Sequence, residues 1–490
     1  MSDTEGVTHF PIIVVGAGFS GLGVAIRLKQ EGYGPFVVLE RSQEVGGVWR
    51  DNTYPGCACD VQSHLYSFSF APNPRWSHTY SPQAEILDYL RQCVTRFDLG
   101  PHLRPGVEVT RANWLEDKRI WWVETSSGLF SCDFLVAAMG GLSEPSIPPI
   151  QGLDTFAGPC FHTARWRSEV DLTGKRVAVI GTGASAIQLI PEILPRVQVL
   201  KVYQRTPPWI LPRTNPPISE WVQALYENFP LTRRLVRAGI YTLRELMWLA
   251  FREGRVRYTN EMLARRYLKR VVTDAVLRQK LTPDYHIGCK RILLSDVYLP
   301  ALTQPQVEVI TDPIVEIDTH SIVTRESGQR EVDVIVLATG FKVWNHPLAQ
   351  VVSGEGGRRL AEVWGESPRA HLGTMVAGFP NLFLLIGPNT GLGHTSVMIM
   401  AEAQIRYLLL ALKYLRLHRQ KVMVPREEVM SAYVQEVDEG MRGSVWTEGG
   451  CASWYLDPTG RNSTLWPGPT FTYAKRLARF RPEDYHIDPG

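Results

Sequence analysis

Two glycine clusters carry the first chemistry. Gly16, Gly18 and Gly21 follow the apolar, β-branched run PIIVV and lead into the helix-like stretch GVAIRLKQEG and then FVVLE. Strand, glycine turn, helix, strand is the context in which GxGxxG binds a dinucleotide. The glycines let the backbone approach a pyrophosphate, and the helix N-terminus favours its negative charge. An acidic residue ending the second strand would bind ribose hydroxyls, and Glu40 stands there.

The second cluster is Gly181, Gly183 and Ala186, set between RVAVI and IQLIPEIL and followed by VQVLKVYQR. Alanine is an accepted third member of this motif. Glu40 lies 24 residues after Gly16, and 24 residues after Gly181 stands Arg205. A guanidinium cannot accept a bond from a ribose hydroxyl, but it pairs with a 2′-phosphate. Thr206 adds a hydroxyl beside it. The second turn therefore selects NADPH over NADH. One site of the FAD type and one for NADPH imply electron transfer from nicotinamide to flavin.

Between these units lies Phe156–Arg167, FAGPCFHTARWR, which reads as neither regular helix nor strand. Taken alone, His162 is a linker histidine, Trp166 is packing, Lys290–Arg291 is a surface dibasic pair and Trp454 is a buried aromatic. In combination they say more. GGVWRDNTYPGCACD places Gly46, Gly47, Trp49, Tyr54, Pro55, Gly56 and Asp60, and the linker places Phe156, Gly158, His162 and Trp166. With ATGF at 338–341 and CASWYLDPTG near the C-terminus, the chain resembles the class B flavoprotein monooxygenases, and within them the Baeyer–Villiger monooxygenases. The heteroatom-oxidising branch usually has Phe or Tyr where Trp166 stands. Arg167 departs from the Pro or Asp usual at the end of the fingerprint.

The resemblance implies a fold, cofactors and roles. The fold would be α/β, with two Rossmann-like dinucleotide-binding domains, for FAD and NADPH, and a helical insertion in the NADPH domain. The FAD domain would take 1–143 and 341–490, and the NADPH domain 144–214 (linker 144–167) and 288–340, with the insertion at 215–287. FAD contacts are implied at Gly16, Gly18, Phe19, Ser20, Gly21, Glu40, Gly47, Val48, Trp49, Asp60, Tyr66 and Val109. NADPH contacts are implied at Gly181, Thr182, Gly183, Ala184, Ser185, Ala186, Gln188, Arg205, Thr206, Lys290 and Trp454, with His162 a conformational residue nearby. Arg291 would hold an anionic flavin peroxide ready to attack a ketone carbonyl, giving an ester or lactone. Its charge is permanent, which suits a dry pocket. Asp60 would orient Arg291, and an adjacent cation should keep that carboxylate ionised. N- or S-oxygenation is the alternative activity, and it needs no charged partner for the peroxide. A disulfide reductase would need a CxxC, whereas Cys57 and Cys59 form CxC.

The elements that must position these residues follow from pattern and length. At 490 residues the chain is expected to form roughly three domains. A formal charge of +3 gives no argument for nucleic acid. Residues 217–280 read as helical, and Leu231–Lys280 holds 13 Lys/Arg against 4 Asp/Glu. The expected reading is a solvated charged face capping the second unit, the alternative a membrane-surface or anionic-substrate role. Strands are expected at 307–310 and along EVDVIVL, 331–337. The run 381–415 reads as strand, glycine loop and long helix. There Thr395 or Ser396 would cap a helix starting near Val397, whose dipole could stabilise anionic reduced flavin, with His394 as a loop residue. MSDTEGVTHF has no leader pattern and no apolar run reaches the ~18 residues of a span. Seven scattered cysteines argue against a disulfide framework and for a reducing cytoplasm. The expected partners are a small ketone and O2, with monomer and homodimer both open.

Overall fold

The computed structural model describes residues 6–252, 254–343 and 347–489. Residues 1–5, on which part of the leader reading rests, lie outside them. Two separate sheets organise the chain. In the first, Thr8–Val15 lies between Phe36–Glu40 and Gly128–Ala137, parallel to both. Ile12, Ile13, Val14 and Val15 are buried, as a strand covered on both faces requires. Leu103–Pro105 extends one side. On the other, Ile120–Thr125 and Val109–Leu115 add an antiparallel ribbon to the first half of Gly128–Ala137. Its second half is free to pair with Leu382–Leu384, which returns from late in the chain.

The second sheet is fully parallel, in the order Val307–Ile310, Val199–Tyr203, Arg176–Ile180, Val334–Leu337, Cys160–His162. Its last strand corrects the expectation for the linker. The middle of FAGPCFHTARWR pairs with Ile335, Val336 and Leu337 as an edge strand, and Thr163–Arg165 then forms a 3-10 turn. Its side chains carry no strand signal because an edge position needs only backbone partners. EVDVIVL is divided as well. Gly328–Glu331 ends a small antiparallel sheet and Val334–Leu337 enters the parallel one. Asp333, at the break, accepts from the Arg176 amide and guanidinium, each at 2.7 Å.

Among the described residues of 217–280 most are helical, as expected: Glu220–Asn228, Pro230–Leu246, Leu249–Arg252, Gly254–Val271 and Ala275–Lys280. The charged face does not all point to solvent, however. On Pro230–Leu246, Arg237 and Arg244 turn inward, while Leu231, Leu235, Leu243 and Leu246 point outward. A second correction concerns the cysteines. Cys289 and Cys451 form a disulfide across 162 residues of sequence, a separation that gives no local spacing signal. Cys57, Cys59, Cys93, Cys132 and Cys160 are free.

Candidate active site

Each glycine turn sits at the carboxyl edge of its sheet. Gly16 adopts φ +102, and a Cβ there would meet the Ala138 carbonyl oxygen at 2.7 Å. A Cβ on Gly21 would stand 1.8 Å from the Gly16 oxygen, so the helix can approach the turn only without one. Gly18 caps Phe19–Gln30 with no side-chain acceptor, which leaves first-turn amides open to an anion. Phe19 is buried against Tyr66 at 5.2 Å between ring centroids, while Ser20 remains partly exposed. Glu40 accepts from the Ala17 amide at 2.8 Å, the Ser42 amide at 3.0 Å and Arg50 at 3.1 Å. These bonds fix its carboxylate at the strand end and leave one acceptor site, on Oε2, for a ribose hydroxyl.

The stretch GGVWRD folds over this turn. Gly46 and Gly47 both have positive φ, and a Cβ on Gly47 would lie 3.2 Å from the Gly18 Cα. The short helix Val48–Asp51 follows, and the Trp49 indole donates to the Tyr66 hydroxyl at 3.1 Å. Val109 is buried at the start of its strand.

The second turn repeats the arrangement. Gly181 has φ +114, and a Cβ would meet the Ala338 oxygen at 2.4 Å. Gly183 caps Ala184–Ile193 without a side-chain acceptor and has open space beside it. Ala184 opens that helix with Ser185 partly exposed, and Ala186 is fully buried. Thr182 donates to the Thr206 carbonyl at 3.1 Å, tying the glycine turn to the end of the next strand. Arg205 is exposed there. Burial, and then the charge of Arg205, hold the Lys290 ammonium below its ordinary value. Among the described residues neither cation forms a salt bridge with a carboxylate. Asp284 and the Tyr285 ring, 5.0 Å from the Lys290 Nζ, offset the Lys290 charge only in part, and two cations without a paired carboxylate beside a glycine turn suit a phosphate group. Gln188 is committed elsewhere: it accepts from the Tyr54 hydroxyl at 2.8 Å and donates to the Ala58 carbonyl at 2.9 Å, linking the two sheets' units.

Asp60 and Arg291 meet across 231 residues. Arg291 donates through Nε at 2.6 Å and through Nη2 at 2.8 Å, a bidentate pair. Burial raises the Asp60 pKa, but Arg291 and then Arg244 outweigh it and the carboxyl stays below its usual value. The Asp60 charge in turn raises Arg291 against the cost of burial. The side chains remain 31% and 27% exposed, so the pair lines a cleft and is not sealed in the core.

Several residues here carried no signal in the sequence. Arg244, from the helical insertion, donates to the Gln62 side chain at 2.8 Å and to the Asp60 carbonyl at 3.1 Å. Tyr455 is fully buried near Arg291, and burial pushes its phenol up to about 12. Its neighbour Trp454 is 42% exposed and packs on Tyr455 at 4.4 Å. The Cys289–Cys451 link ties the loop of Lys290 and Arg291 to the loop of Trp454 and Tyr455. Only the dibasic pair and Trp454 were legible beforehand.

Ser396 caps Val397–Leu417 by accepting from the Met398 amide at 3.3 Å. His394 is buried 3.6 Å from Glu245 of the insertion. His162 accepts from the Ala164 amide at 3.0 Å and packs edge-on to Phe341 of ATGF. Burial lowers it to about 4, so it is neutral at physiological pH. Trp166 packs edge-on to Phe161 at 5.2 Å, and Arg167 pairs at the surface with Glu169 at 2.7 Å. That exposed ion pair contributes little and keeps Arg167 out of the cleft; nothing in the structure explains the departure from the fingerprint.

Residues 13–237 match the family described as pyridine nucleotide-disulphide oxidoreductase. The redox dithiol such a name suggests is not formed by Cys57 and Cys59; burial raises the Cys57 thiol to about 11 and Cys59 higher still. A Baeyer–Villiger monooxygenase of Streptomyces coelicolor is 46% identical over 98% of this chain and 93% of its own length. Cyclohexanone monooxygenase from Rhodococcus sp. Phi1, solved bound to NADP+, superposes with a TM-score of 0.87 at 28% identity, covering 99% of this chain and 100% of that one. A complex of OTEMO with FAD and NADP gives 0.88 at 27% identity over 98% and 99%. The chain belongs to the Baeyer–Villiger monooxygenases.

Proposed function

We propose that the protein converts a ketone, NADPH, O2 and a proton to an ester or lactone, NADP+ and water. The observation that carries this is the bidentate Asp60–Arg291 pair, with Arg244 on the carbonyl of the same aspartate. Heteroatom oxygenation needs no such fixed cation. The residues fit both cofactors: two uncapped helix N-termini behind glycine turns, Glu40 at one strand end, and Arg205 with Lys290 at the other site. Bound NADPH supplies the electrons and bound FAD activates O2.

The chain's own residues do the rest. Gly16, Gly18, Gly21 and Gly47 admit one pyrophosphate, and Gly181 and Gly183 the other. Arg205 and Lys290 select the 2′-phosphate. Arg291 keeps its charge at any working pH, and Asp60 turns the guanidinium edge that it does not occupy toward the cleft. An anionic oxygen arriving there meets a preorganised cation at no reorganisation cost. Trp454 and Tyr455 wall the cleft against water. His162, neutral and held by Ala164 and Phe341, acts on how the two units sit and moves no proton. The two sheets then serve as FAD domain (1–143, 341–490) and NADPH domain (144–214, 288–340), with 215–287 as insertion, in an enzyme acting as monomer or homodimer.

The test is product mass over cyclic, linear and aryl ketones with NADPH, alongside Arg291→Ala. Wild type gives ester or lactone. The variant still reduces its flavin with NADPH but forms about 100- to 1000-fold less ester. Oxygenated amines or sulfides with every ketone untouched would favour the alternative, and ester formation by Arg291→Ala would remove Arg291 from this role.

A further inference from the structure

The helix Pro230–Leu246 is amphipathic in the wrong sense for a solvated surface helix. Its inward face carries Arg233, Arg237, Arg244 and Glu245. Arg237 donates to the carbonyls of His64, Leu65 and Ser67 at 2.6, 3.3 and 3.1 Å, and Arg244 to Asp60 and Gln62. Glu245 accepts from the Thr470 amide at 2.9 Å. The polar face is thus consumed by backbone groups of the body, and the apolar face is left outside. Leu231, Leu235, Leu243 and Leu246 are 65, 63, 69 and 56% exposed. Positions 231, 235, 243 and 246 recur at helical spacing on one arc, with Ala238, Gly239 and Thr242 exposed between them. Phe229, at the N-terminal end, is 61% exposed, and Trp221 on the preceding helix 73%. Single exposed leucines need no explanation, but a stripe about 22 Å long does.

The charge around the stripe indicates what covers it. From Glu220 to Leu246 the chain has four arginines and three glutamates; Arg237, Arg244 and Glu245 are spent on the body and Glu227 on Arg75, which leaves Arg233 and Arg234 against Glu220. Burial and the neighbouring charges of Arg234 and Arg96 hold the Arg233 guanidinium below its ordinary value, so three cations gather at the end where Phe229 lies. Leucines and aromatics flanked by clustered arginines are the composition of a helix lying in the interface of an anionic bilayer. No described helix is long and apolar enough to cross a membrane, so the contact is peripheral.

We propose that the outward face of Pro230–Leu246 docks on an anionic phospholipid surface, inserting Leu231, Leu235, Leu243 and Leu246 while Arg96 and Arg234 meet lipid phosphates. The same helix ends in Arg244 and Glu245, beside Asp60 and His394. The docked face and the cleft therefore lie on opposite sides of one rigid element, which brings a membrane-dissolved apolar substrate close to the site.

The experiment is sedimentation of FAD-loaded protein with vesicles of phosphatidylcholine alone or with roughly one third phosphatidylglycerol, at low and high salt, beside light scattering of the free protein. Wild type is expected to sediment with the anionic vesicles at low salt and to be released by high salt. The double variant Leu235→Glu/Leu243→Glu is expected to bind at least about tenfold more weakly while keeping its flavin and its NADPH turnover in solution. Arg234→Gln, with the leucines intact, is expected to need less salt for release. Wild type left in the supernatant, equal binding to both vesicle types, or a double variant that binds like wild type would each overturn the proposal. So would a wild-type dimer that the double variant dissociates, since the stripe would then be a self-contact.

Discussion

At the scale of single residues, the site depends on who holds Asp60. Its carboxylate is taken by Arg291 and its carbonyl by Arg244, so the aspartate is clamped at both ends. Arg244→Met keeps the aliphatic stem and removes the donor. It leaves the Gln62 side chain and the Asp60 carbonyl short of a partner, each loss costing about 1–3 kcal/mol. We expect ester formation to fall about tenfold or more, with NADPH oxidation continuing and the shortfall released as hydrogen peroxide. Parallel assays of ester, peroxide and NADPH check this; an unchanged ester-to-NADPH ratio would make Arg244 a packing residue only. Arg244 illustrates a limit on reading a site from a chain. It is one of 13 basic residues in a 50-residue stretch, and nothing in its neighbours separates it from those that face water. Asp60 and Arg291 stood out only because motifs flank them.

At the scale of elements, the cleft is assembled by two loops that are distant in sequence. The loop of Lys290 and Arg291 and the loop of Trp454 and Tyr455 are joined through Cys289 and Cys451. A crosslink across so long a separation removes freedom from the unfolded chain, worth about 2–4 kcal/mol in such cases. Cys451→Ser should therefore lower the melting temperature by several degrees, and the looser Trp454 loop should raise KM for NADPH more than it lowers kcat. Dithiothreitol should reproduce both changes in wild type and add nothing in the variant. Thermal melts and steady-state kinetics with and without reductant decide the matter. Identical values in all four samples would mean that the link does not hold the loops. The linker strand makes the complementary point. Cys160–His162 pairs through its backbone, so its unremarkable side chains concealed a regular element.

At the scale of the whole molecule, three buried histidines set the response to acid. Burial lowers His64, His162 and His371 to about 4 each, with Arg233 and Arg237 adding to the effect at His64. Each binds a proton more readily in the unfolded chain, where the usual value is about 6.5. Their contribution to stability is therefore complete above about pH 6.5 and is lost as pH falls toward 4. Asp60, whose carboxyl is lowered by Arg291 and Arg244 against burial, acts with the same sign at more acidic pH. The melting temperature should be flat from about pH 7 to 8 and decline steadily below about 6.5. Replacing His371, which lies apart from the cleft, with Gln should flatten part of that decline. A profile unchanged down to about pH 4.5 would show that these histidines are solvated.

The two nucleotide units, their glycine turns and the choice of NADPH were legible in the chain, because each depends on residues within one βαβ stretch. Gly16 and Gly21 are required by local backbone geometry, and Glu40 and Arg205 stand at matching counts from their glycine turns, so spacing alone singles them out as candidates. That Thr395 or Ser396 caps the helix at Val397 was legible for the same reason, and the structure chose Ser396. What joins distant segments was not legible: Arg244 on Asp60, Cys289 on Cys451, and the return of Leu382–Leu384 to the first sheet. Gln188 shows the boundary within one motif, since its spacing suits a cofactor contact while its bonds run to Tyr54 and Ala58 across the units. The inverted helix belongs to this second class too. Its period is plain in the sequence, but a period defines two faces and does not say which one meets water. That choice follows from the carbonyls and side chains of the body that Arg237, Arg244 and Glu245 can reach, and those groups come together only when the chain folds.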